Sequence, residues 1–263
     1  MTTEGFATQK PTDAAATRSR VPAVTWTFWV LKVLCTTVGE TAADFLNEDL
    51  GLGLVGTTLV MAVLLVLALL LQFRAGRYVP SIYWSVVVAI SVVGTLVTDL
   101  LTDQLAVPLE LSTFAFGVVL IATFAIWHAQ ERTLSIRAIV TRNREAFYWT
   151  AVLATFALGT AVGDWLAEDL SLGYPTSAAL FGGIIAAVFV AYGWCRLHSV
   201  AAFWMAYVVT RPFGASLGDY LAQAPASGGL GLGASLTSLV FVGSIAGLVA
   251  FLAMSKRDVV ADA

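Results

Sequence analysis

Apolar runs long enough to span a bilayer as a helix, about 20 residues each, recur along the whole chain between short polar connections. The pattern predicts eight transmembrane helices, at approximately 23–46, 52–73, 80–104, 108–129, 146–167, 174–195, 199–222 and 232–254. No connection is long enough for a soluble module. We therefore expect an all-α membrane bundle over residues 23–254, with polar tails at 1–22 and 255–263.

The composition supports a membrane protein. Hydrophobic side chains make up 59% of the 263 residues and charged side chains 12%, and a mean hydropathy of +0.85 lies outside the range of ordinary soluble domains. Residues 1–22 are polar and rich in Thr and Ala, which predicts a flexible tail and not a cleaved signal peptide. Cys35 and Cys195 lie in different apolar segments and predict neither a disulfide framework nor a paired metal motif.

Positive charge is distributed by face. The connections after even-numbered helices carry the arginines, whereas those after odd-numbered helices are short and acidic or neutral. The positive-inside rule therefore places both tails in the cytoplasm, and we expect a multi-pass protein of the bacterial cytoplasmic (inner) membrane. The arginine-rich connection 132–145 is interpreted as a topology signal that contacts anionic lipid, and no nucleic-acid partner is expected.

A repeated motif divides the chain into four units. Each unit has a tryptophan preceded by Phe or Tyr, then a glycine ten residues later, an aspartate fifteen later and a leucine seventeen later. The tryptophans are Trp29, Trp84, Trp149 and Trp204, separated by 55, 65 and 55 residues. Because each unit holds two helices, it returns the chain to the same face. The units, about 24–77, 80–132, 145–197 and 199–254, are therefore parallel hairpin repeats.

These residues, together with TTVGETAADFL in the first repeat and TRPFGASLGDYL in the last, resemble a family of bacterial integral membrane proteins. That family is built from four tandem two-helix repeats with a marked tryptophan, the repeat of unknown function 347. The resemblance covers about residues 24–254 and implies the four-hairpin fold, but it implies no particular activity. The second and third repeats lack Lys32 and Glu40 of the first, so these two charges are not general to the repeat.

The tryptophans and glycines of the motif have predicted structural roles. Each tryptophan follows the point where the chain enters the membrane from the cytoplasm, where its ring is expected to anchor the helix at the headgroup level. The repeat glycines are Gly39, Gly94, Gly159 and Gly214, and each is followed four positions later by a second small residue. This spacing predicts close packing of the odd-numbered helices against one another or against their hairpin partners.

The aspartates of the motif continue a series of polar side chains spaced four residues apart, which lie on one face of each odd-numbered helix. A charge that faces lipid at the helix centre costs about 2.5–3.5 kcal/mol, so we expect these faces to meet and to gather four carboxylates around a central axis. The series are Lys32–Thr36–Glu40–Asp44, Ser91–Thr95–Asp99–Asp103, Phe156–Thr160–Asp164–Glu168 and Arg211–Ala215–Asp219–Gln223.

This cluster is the candidate ion-binding site. Its oxygen atoms favour protons, Na⁺, Mg²⁺, Ca²⁺ or Mn²⁺ over copper or zinc, and no organic cofactor is predicted. The candidate residues are Asp44, Asp99, Asp164, Asp219, Glu40, Lys32, Arg211, Thr95 and Thr160, with the four aspartates as metal ligands if a cation binds. A second interpretation is that each aspartate only binds loop amides and fixes the turn into the following helix.

Arg211 also allows two interpretations. Pro212 follows it and is expected to kink the helix, which suits a site inside a membrane bundle. The arginine is then either a counter-ion for Asp219 or Glu40, or a group that contacts a substrate or an anion.

The function that these residues favour is secondary transport of a small cation, or transport coupled to protons, through the carboxylate cluster. The alternative is a non-transporting structural membrane protein whose polar residues hold the bundle together. An enzyme is not predicted, because the histidines lie near the cytoplasmic helix ends and the acids near the opposite ends, so no nucleophile has a neighbouring base. The expected partners are the lipid bilayer and the transported cation or protons.

Overall fold

The computed structural model describes residues 19–258, which form eight α-helices and no β-strand. The helices are α1 Trp26–Asp44, α2 Gly53–Ala75, α3 Pro80–Asp99, α4 Leu109–Glu131, α5 Arg142–Asp164, α6 Tyr174–Trp194, α7 Ser199–Ala222 and α8 Ala234–Ser255. Six of them, all except α1 and α7, are long and apolar enough to cross a membrane. The prediction of an all-α, multi-pass membrane fold is confirmed. In α1 and α7, buried charges such as Lys32, Glu40 and Arg211 lower the hydropathy.

Three of the odd-numbered helices end in a π-helical turn. The turns follow α1, α3 and α5, at Phe45–Asp49, Leu100–Gln104 and Trp165–Asp169. Here the N–H of a residue donates to the carbonyl five positions back, as from Leu50 to Phe45 at 3.0 Å, and such wide turns are frequent at functional sites. In the described part of the fourth repeat, α7 ends at Ala222 without a π-helical turn.

The odd-numbered helices form an inner ring and the even-numbered helices an outer ring. Around the inner ring, α1 contacts α3 and α7, and α5 contacts the same two helices. Each outer helix packs chiefly against the inner helix of the following repeat: α2 on α3, α4 on α5, α6 on α7, and α8 back on α1. The outer helices leave most of their apolar surface exposed, as expected for helices that face lipid. This interlocking of successive repeats closes the ring.

Each repeat glycine lies against the residue seven positions after the tryptophan of the next repeat. A Cβ added to Gly94, for example, would lie 2.9 Å from the Phe156 Cβ, which is closer than side chains pack. The four pairs are Gly39–Ser91, Gly94–Phe156, Gly159–Arg211 and Gly214–Thr36. The predicted close packing is therefore confirmed between odd-numbered helices. The cyclic order of the contacts gives the inner ring an approximate four-fold symmetry.

The motif tryptophans lie inside the bundle and not at its lipid-facing surface. Trp84, Trp149 and Trp204 are 2%, 4% and 6% exposed, and Trp29 is half-buried. Each ring packs against the aromatic residue that precedes the tryptophan of the previous repeat. The pairs, with centroids 5.7, 5.2, 6.2 and 5.7 Å apart, are Phe28–Trp84, Tyr83–Trp149, Tyr148–Trp204 and Phe203–Trp29. The prediction of headgroup anchors is wrong here, because neighbouring inner helices enclose these rings.

Residues 19–25 and 256–258 lie together at one end of the bundle, which we call the terminal face. The backbone N–H of Ala23 donates to the carbonyl of Asp258 at 2.9 Å. The side chain of Asp258 is buried and accepts a hydrogen bond from the Tyr78 hydroxyl. The first residues of the tail predicted at 255–263 are therefore part of the bundle.

The last residues of the tail predicted at 1–22 also contact the bundle. The guanidinium of Arg20 forms an ion pair with Glu145, whose side chain is fully buried at the start of α5. This contact joins the segment before α1 to the third repeat. The remainder of the two predicted tails, residues 1–18 and 259–263, lies outside the described residues.

Candidate cation-binding cavity

A cavity of about 550 Å³ lies at the end of the inner ring opposite the terminal face. Acidic side chains from all four repeats line it, and among the described residues no lysine, arginine or histidine does so. The lining carboxylates are Glu40, Asp44, Glu48, Asp99, Asp103, Asp164, Glu168, Asp169 and Asp219. The four repeat aspartates and Glu40, which the sequence pattern selected, thus lie around one space.

The repeat aspartates do not cap the turns that follow them. The side chains of Asp44, Asp99 and Asp164 make no capping hydrogen bond to the π-helical turns that begin one residue later. Asp219 is 8% exposed, and no residue within 19–258 gives it a side-chain hydrogen bond or an ion pair. The turn-fixing interpretation lacks the contacts that it requires, whereas all four carboxylates border the cavity.

The π-helical turns bring a second acid to the cavity in each of the first three repeats. These acids come four residues after the repeat aspartate, at Glu48, Asp103 and Glu168. The hydroxyl of Tyr174 donates to Glu168 at 3.0 Å and holds that carboxylate in place. In the fourth repeat, which lacks the π-helical turn, the corresponding residue is the neutral Gln223. The acidic lining is therefore unevenly distributed around the ring.

Besides Thr102, three polar lining residues fall outside every position that the sequence pattern singled out: Asn47, Glu48 and Asp169. They belong to the runs NED and AED, which hydropathy assigns to the connections after the odd-numbered helices. The helical backbone instead continues through these runs as π-helical turns. The signal that marks them is the run of acids directly after the repeat leucine.

Beneath the cavity, the guanidinium of Arg211 connects the four inner helices. Its Nη2 atom donates to Glu40 Oε2 at 2.7 Å, to Thr160 Oγ1 at 2.6 Å and to Thr95 Oγ1. These acceptors occupy one position of the repeat, eleven residues after the tryptophan. The fourth repeat has the small Ala215 there, which leaves room for the arginine. The two threonines, predicted as ion ligands, thus bind Arg211 and lie outside the cavity lining.

Of the two predicted counter-ions, Arg211 pairs with Glu40 and not with Asp219. The pair is buried, with side-chain exposures of 0% for the arginine and 7% for the glutamate. Its hydrogen bonding is uneven, because the two protons of Nη2 face three acceptors while Nε has no partner among the described residues. Such a pair loses much hydration energy on burial, so loss of either partner leaves an uncompensated charge.

Lys32 lies one layer deeper and does not line the cavity. Its ammonium nitrogen is 3.8 Å from the ring centroid of Phe156 and 4.3 Å from that of Tyr207. The side chain is 1% exposed, and no residue within 19–258 accepts a hydrogen bond from it. Cation–π contacts therefore surround this group. The structure separates Lys32 from the carboxylates with which the four-residue spacing grouped it.

Aromatic side chains fill the axis between Lys32 and the terminal face. The hydroxyls of Tyr83 and Tyr148 hydrogen-bond to each other, and the rings of Phe28 and Phe203 pack with centroids 6.0 Å apart. All four rings are buried. We call these four residues the aromatic layer; it lies between the cavity and the terminal face.

Three cavity carboxylates are close enough to share one ion. One oxygen each from Glu40, Asp164 and Asp219 lies within 4.8 Å of the other two. Asp44 and Asp99, also predicted as possible metal ligands, line the same cavity but lie outside this group. Carboxylate oxygens in this arrangement suit hard cations.

The fold and the cavity define a multi-pass helical membrane protein in which four hairpin repeats surround an acidic space. The chain belongs to the family Repeat of Unknown Function (DUF347), which matches residues 27–78, 82–133, 147–196 and 202–258. The resemblance predicted from the tryptophan motif is confirmed. No curated protein and no solved structure matches the chain.

Proposed function

We propose that this protein is a secondary transporter that moves a small cation, or couples transport to protons, through the carboxylate cavity. The observation that carries the proposal is the convergence of four repeat aspartates and Glu40 on one cavity that, among the described residues, no basic side chain lines. Ionisable groups inside membrane spans are costly and occur mainly on ion and proton pathways. A structural bundle has no need for nine carboxylates around one space.

Transport requires the cavity to open to each side in turn. In the present conformation, Arg211, Lys32 and the aromatic layer close the end toward the terminal face. A cation that binds the carboxylates reduces their mutual repulsion and lets the inner helices approach one another at this end. The helix ends at the terminal face then separate and release the ion there. In this motion the inner helices tilt about the repeat glycines, where they are in closest contact.

The proposed location is the bacterial cytoplasmic membrane, with the terminal face in the cytoplasm. The support is the positive charge of that face, which includes Arg74 in the last turn of α2 and Arg77 just after it. Exposed Cys195, after α6 on the same face, and buried Cys35 allow a direct test. In spheroplasts, a membrane-impermeant maleimide should label a Glu110→Cys variant at the opposite face and leave Cys195 unlabelled. Labelling of Cys195 alone would reverse the assignment.

Flux measurements test the transport proposal. Purified protein in proteoliposomes should move Na⁺, Mg²⁺, Ca²⁺, Mn²⁺ or protons along an imposed gradient, as reported by ion- or pH-sensitive dyes inside the vesicles. Asp99→Asn should abolish this flux because it removes one ionisable group from the cavity lining. Glu110→Gln is the matched control, since Glu110 is an exposed acid at the same face but outside the lining. Undiminished flux in Asp99→Asn, or no flux of any of these ions, would reject the proposal.

A structural role is the second candidate, and the hydrogen bonds of Arg211 favour it because they join its own helix to three others. In that case the wild-type protein carries no flux, and Asp99→Asn lowers the stability or the abundance of the bundle. The transporter proposal expects the opposite, a stable variant without flux. Measuring both quantities on the same preparation separates the two candidates.

A further inference from the structure

Three of the cavity carboxylates have a geometry that the other lining acids lack. We propose that Glu40, Asp164 and Asp219 together bind a hard divalent cation, and that this ion is the cargo of the protein. The binding site stands on the geometry alone, whereas the identity of the cargo rests on the transport function proposed above. We call the three residues the carboxylate triad.

The spacing of the triad suits direct coordination of one ion. One oxygen of each carboxylate lies within 4.8 Å of the other two. Ligand oxygens of Ca²⁺ lie 2.3–2.6 Å from the ion, so two oxygens on opposite sides of it are about 5 Å apart. The cavity of about 550 Å³ above the triad leaves space for the water ligands that complete the coordination shell.

Asp219 gives an independent indication of a ligand. Its side chain is 8% exposed and borders the cavity. No residue within 19–258 donates a side-chain hydrogen bond to it or forms an ion pair with it. A buried polar group normally has a partner, and a carboxylate without one is costly. A cation held between Asp219 and its neighbours supplies the missing partner.

The charges around the triad favour a divalent ion. Arg211 holds Oε2 of Glu40 at 2.7 Å, and the Thr95 hydroxyl also donates to this oxygen at 3.2 Å. These contacts orient the glutamate and leave its second oxygen free for a metal ion, as outer-sphere partners of metal ligands commonly do. Within the triad, three carboxylates and one guanidinium leave two negative charges, and the neighbouring lining acids add further negative charge that favours a divalent over a monovalent cation.

The remaining lining favours an inorganic ion over an organic ammonium compound. Sites for organic cations use aromatic faces, and the described lining of this cavity contains no Phe, Tyr or Trp. It consists of acids, a few neutral polar groups and the small apolar segment at residues 106–109. The absence of sulfur and imidazole from this lining also disfavours softer metals.

Binding of Mn²⁺ tests the site, because the electron paramagnetic resonance signal of the free ion weakens on binding. Detergent-purified wild-type protein should bind Mn²⁺, and Ca²⁺ should displace it while equimolar Na⁺ should not. Asp164→Asn and Asp219→Asn should each weaken binding by about 10–100-fold, at least as much as the loss of an outer-sphere group does. Glu110→Gln, an exposed acid of the same face outside the lining, should bind as wild type does.

The proposal is overturned if wild-type protein does not bind Mn²⁺, if Na⁺ competes as well as Ca²⁺, or if the triad variants bind as tightly as the control. Size-exclusion chromatography and circular dichroism show whether each variant is folded. Should both asparagine variants fail to fold, the wild-type competition between Ca²⁺ and Na⁺ still decides the question.

The binding result and the flux result fail independently. If Mn²⁺ binds at the triad but no ion crosses the proteoliposome membrane, the binding site is supported. The transport function and the assignment of the ion as cargo are then rejected. If Na⁺ or protons cross and Mn²⁺ does not bind, the transport function is supported and the divalent-cation site is rejected. Divalent flux that Asp219→Asn abolishes, together with loss of Mn²⁺ binding, supports both.

Discussion

The two ends of the inner ring are made from the same repeat, yet one is closed and the other is open. Toward the terminal face, the residues that precede the motif tryptophans pack into the buried aromatic layer. At the opposite end, the aspartates fifteen positions after those tryptophans border a cavity of about 550 Å³. Between the two ends the helices approach most closely at the repeat glycines. Side-chain chemistry therefore decides which end is closed.

Opposing interactions act on the two ends of this helix ring. Aromatic burial and ring contacts stabilise the closed end, whereas carboxylates at equivalent positions repel one another and keep the other end apart. Arg211 lies at the boundary, where its pairing with Glu40 draws the helices together just below the acids. Substitution of Arg211 at this boundary should therefore lower the free energy of unfolding most. Neutralising one of the cavity acids should raise it.

The largest effect is expected from Arg211→Met. Without the guanidinium, Glu40 remains as a buried charge between the two ends, so the free energy of unfolding should fall by about 3–5 kcal/mol. Unfolding by sodium dodecyl sulfate in mixed micelles measures this change. The double variant Arg211→Met, Glu40→Leu removes both charges and should regain most of the loss. A cost below about 1 kcal/mol, typical of exposed pairs, would show that the boundary does not depend on this contact.

Gly94→Ala comes next. The added methyl group would lie 2.9 Å from the Phe156 Cβ and force α3 and α5 apart, so the free energy of unfolding should fall by about 1–3 kcal/mol. Gly117→Ala is the control, because no atom lies within 4 Å of an added Cβ on that outer helix. Equal stability of the two variants in the same unfolding assay would contradict the close approach of the inner helices.

Asp99→Asn should raise the free energy of unfolding, by about 0.5–2 kcal/mol, the gain typical of relieving an unfavourable functional arrangement. The amide keeps the size of the side chain but removes its charge from the acidic end. Thermal unfolding of this variant beside Glu110→Gln, whose carboxylate is exposed outside the cavity, measures the difference. A less stable Asp99→Asn would mean that the carboxylates hold the acidic end together, as a structural role requires.

The smallest effect is expected for Asp258 at the terminal face, beside the closed end of the ring. Burial raises the pKa of the Asp258 carboxyl above its ordinary value of 3.8, although the hydrogen bond with Tyr78 lowers it. The folded state then binds more protons than the unfolded state, so this group stabilises the fold below its ordinary pKa and loses that contribution as pH rises through the folded value. Between about pH 4 and about pH 7, the Tm of wild type should fall slightly relative to that of Asp258→Asn. A Tm difference between the two proteins that does not change with pH would exclude this contribution of Asp258 to stability.

Much of the fold follows from local sequence properties. Runs of apolar residues give the helices, and the Trp–Gly–Asp spacing gives the repeat. The spacing also predicts close packing of the odd-numbered helices, but not whether they pack on one another or on their hairpin partners. The four-residue spacing of polar groups also selects Glu40 and the four aspartates, because residues at this spacing share one helix face. These five side chains border the cavity.

The depth of a side chain in the bundle, and its contacts with other helices, are harder to derive from the sequence of a single helix. Lys32 shares a face with Glu40 but lies between the rings of Phe156 and Tyr207, which come from two other helices. The burial of Trp84 likewise depends on Phe28 of the preceding repeat. Spacing along a helix fixes a direction, whereas the contacts in that direction depend on how the ring is assembled.

The π-helical turns were not predictable from hydropathy for a different reason. The runs that form them, such as Phe45–Asp49, begin with two apolar residues and end in polar ones, and five residues are too few to show a helical period. Their helical backbone depends on the ring around the cavity, which places successive acids along one wall. A tertiary arrangement here overrides the local signal.

The packing of each outer helix on the inner helix of the next repeat also governs biosynthesis. The first inner helix, α1, is made first, but its outer neighbour α8 and the arginine that pairs with Glu40 come from the last repeat. A nascent chain halted before residue 199 therefore holds an acidic helix in the membrane with neither its cover nor its counter-charge. The first helix of the protein therefore completes its packing and its ion pair only after the fourth hairpin has been made.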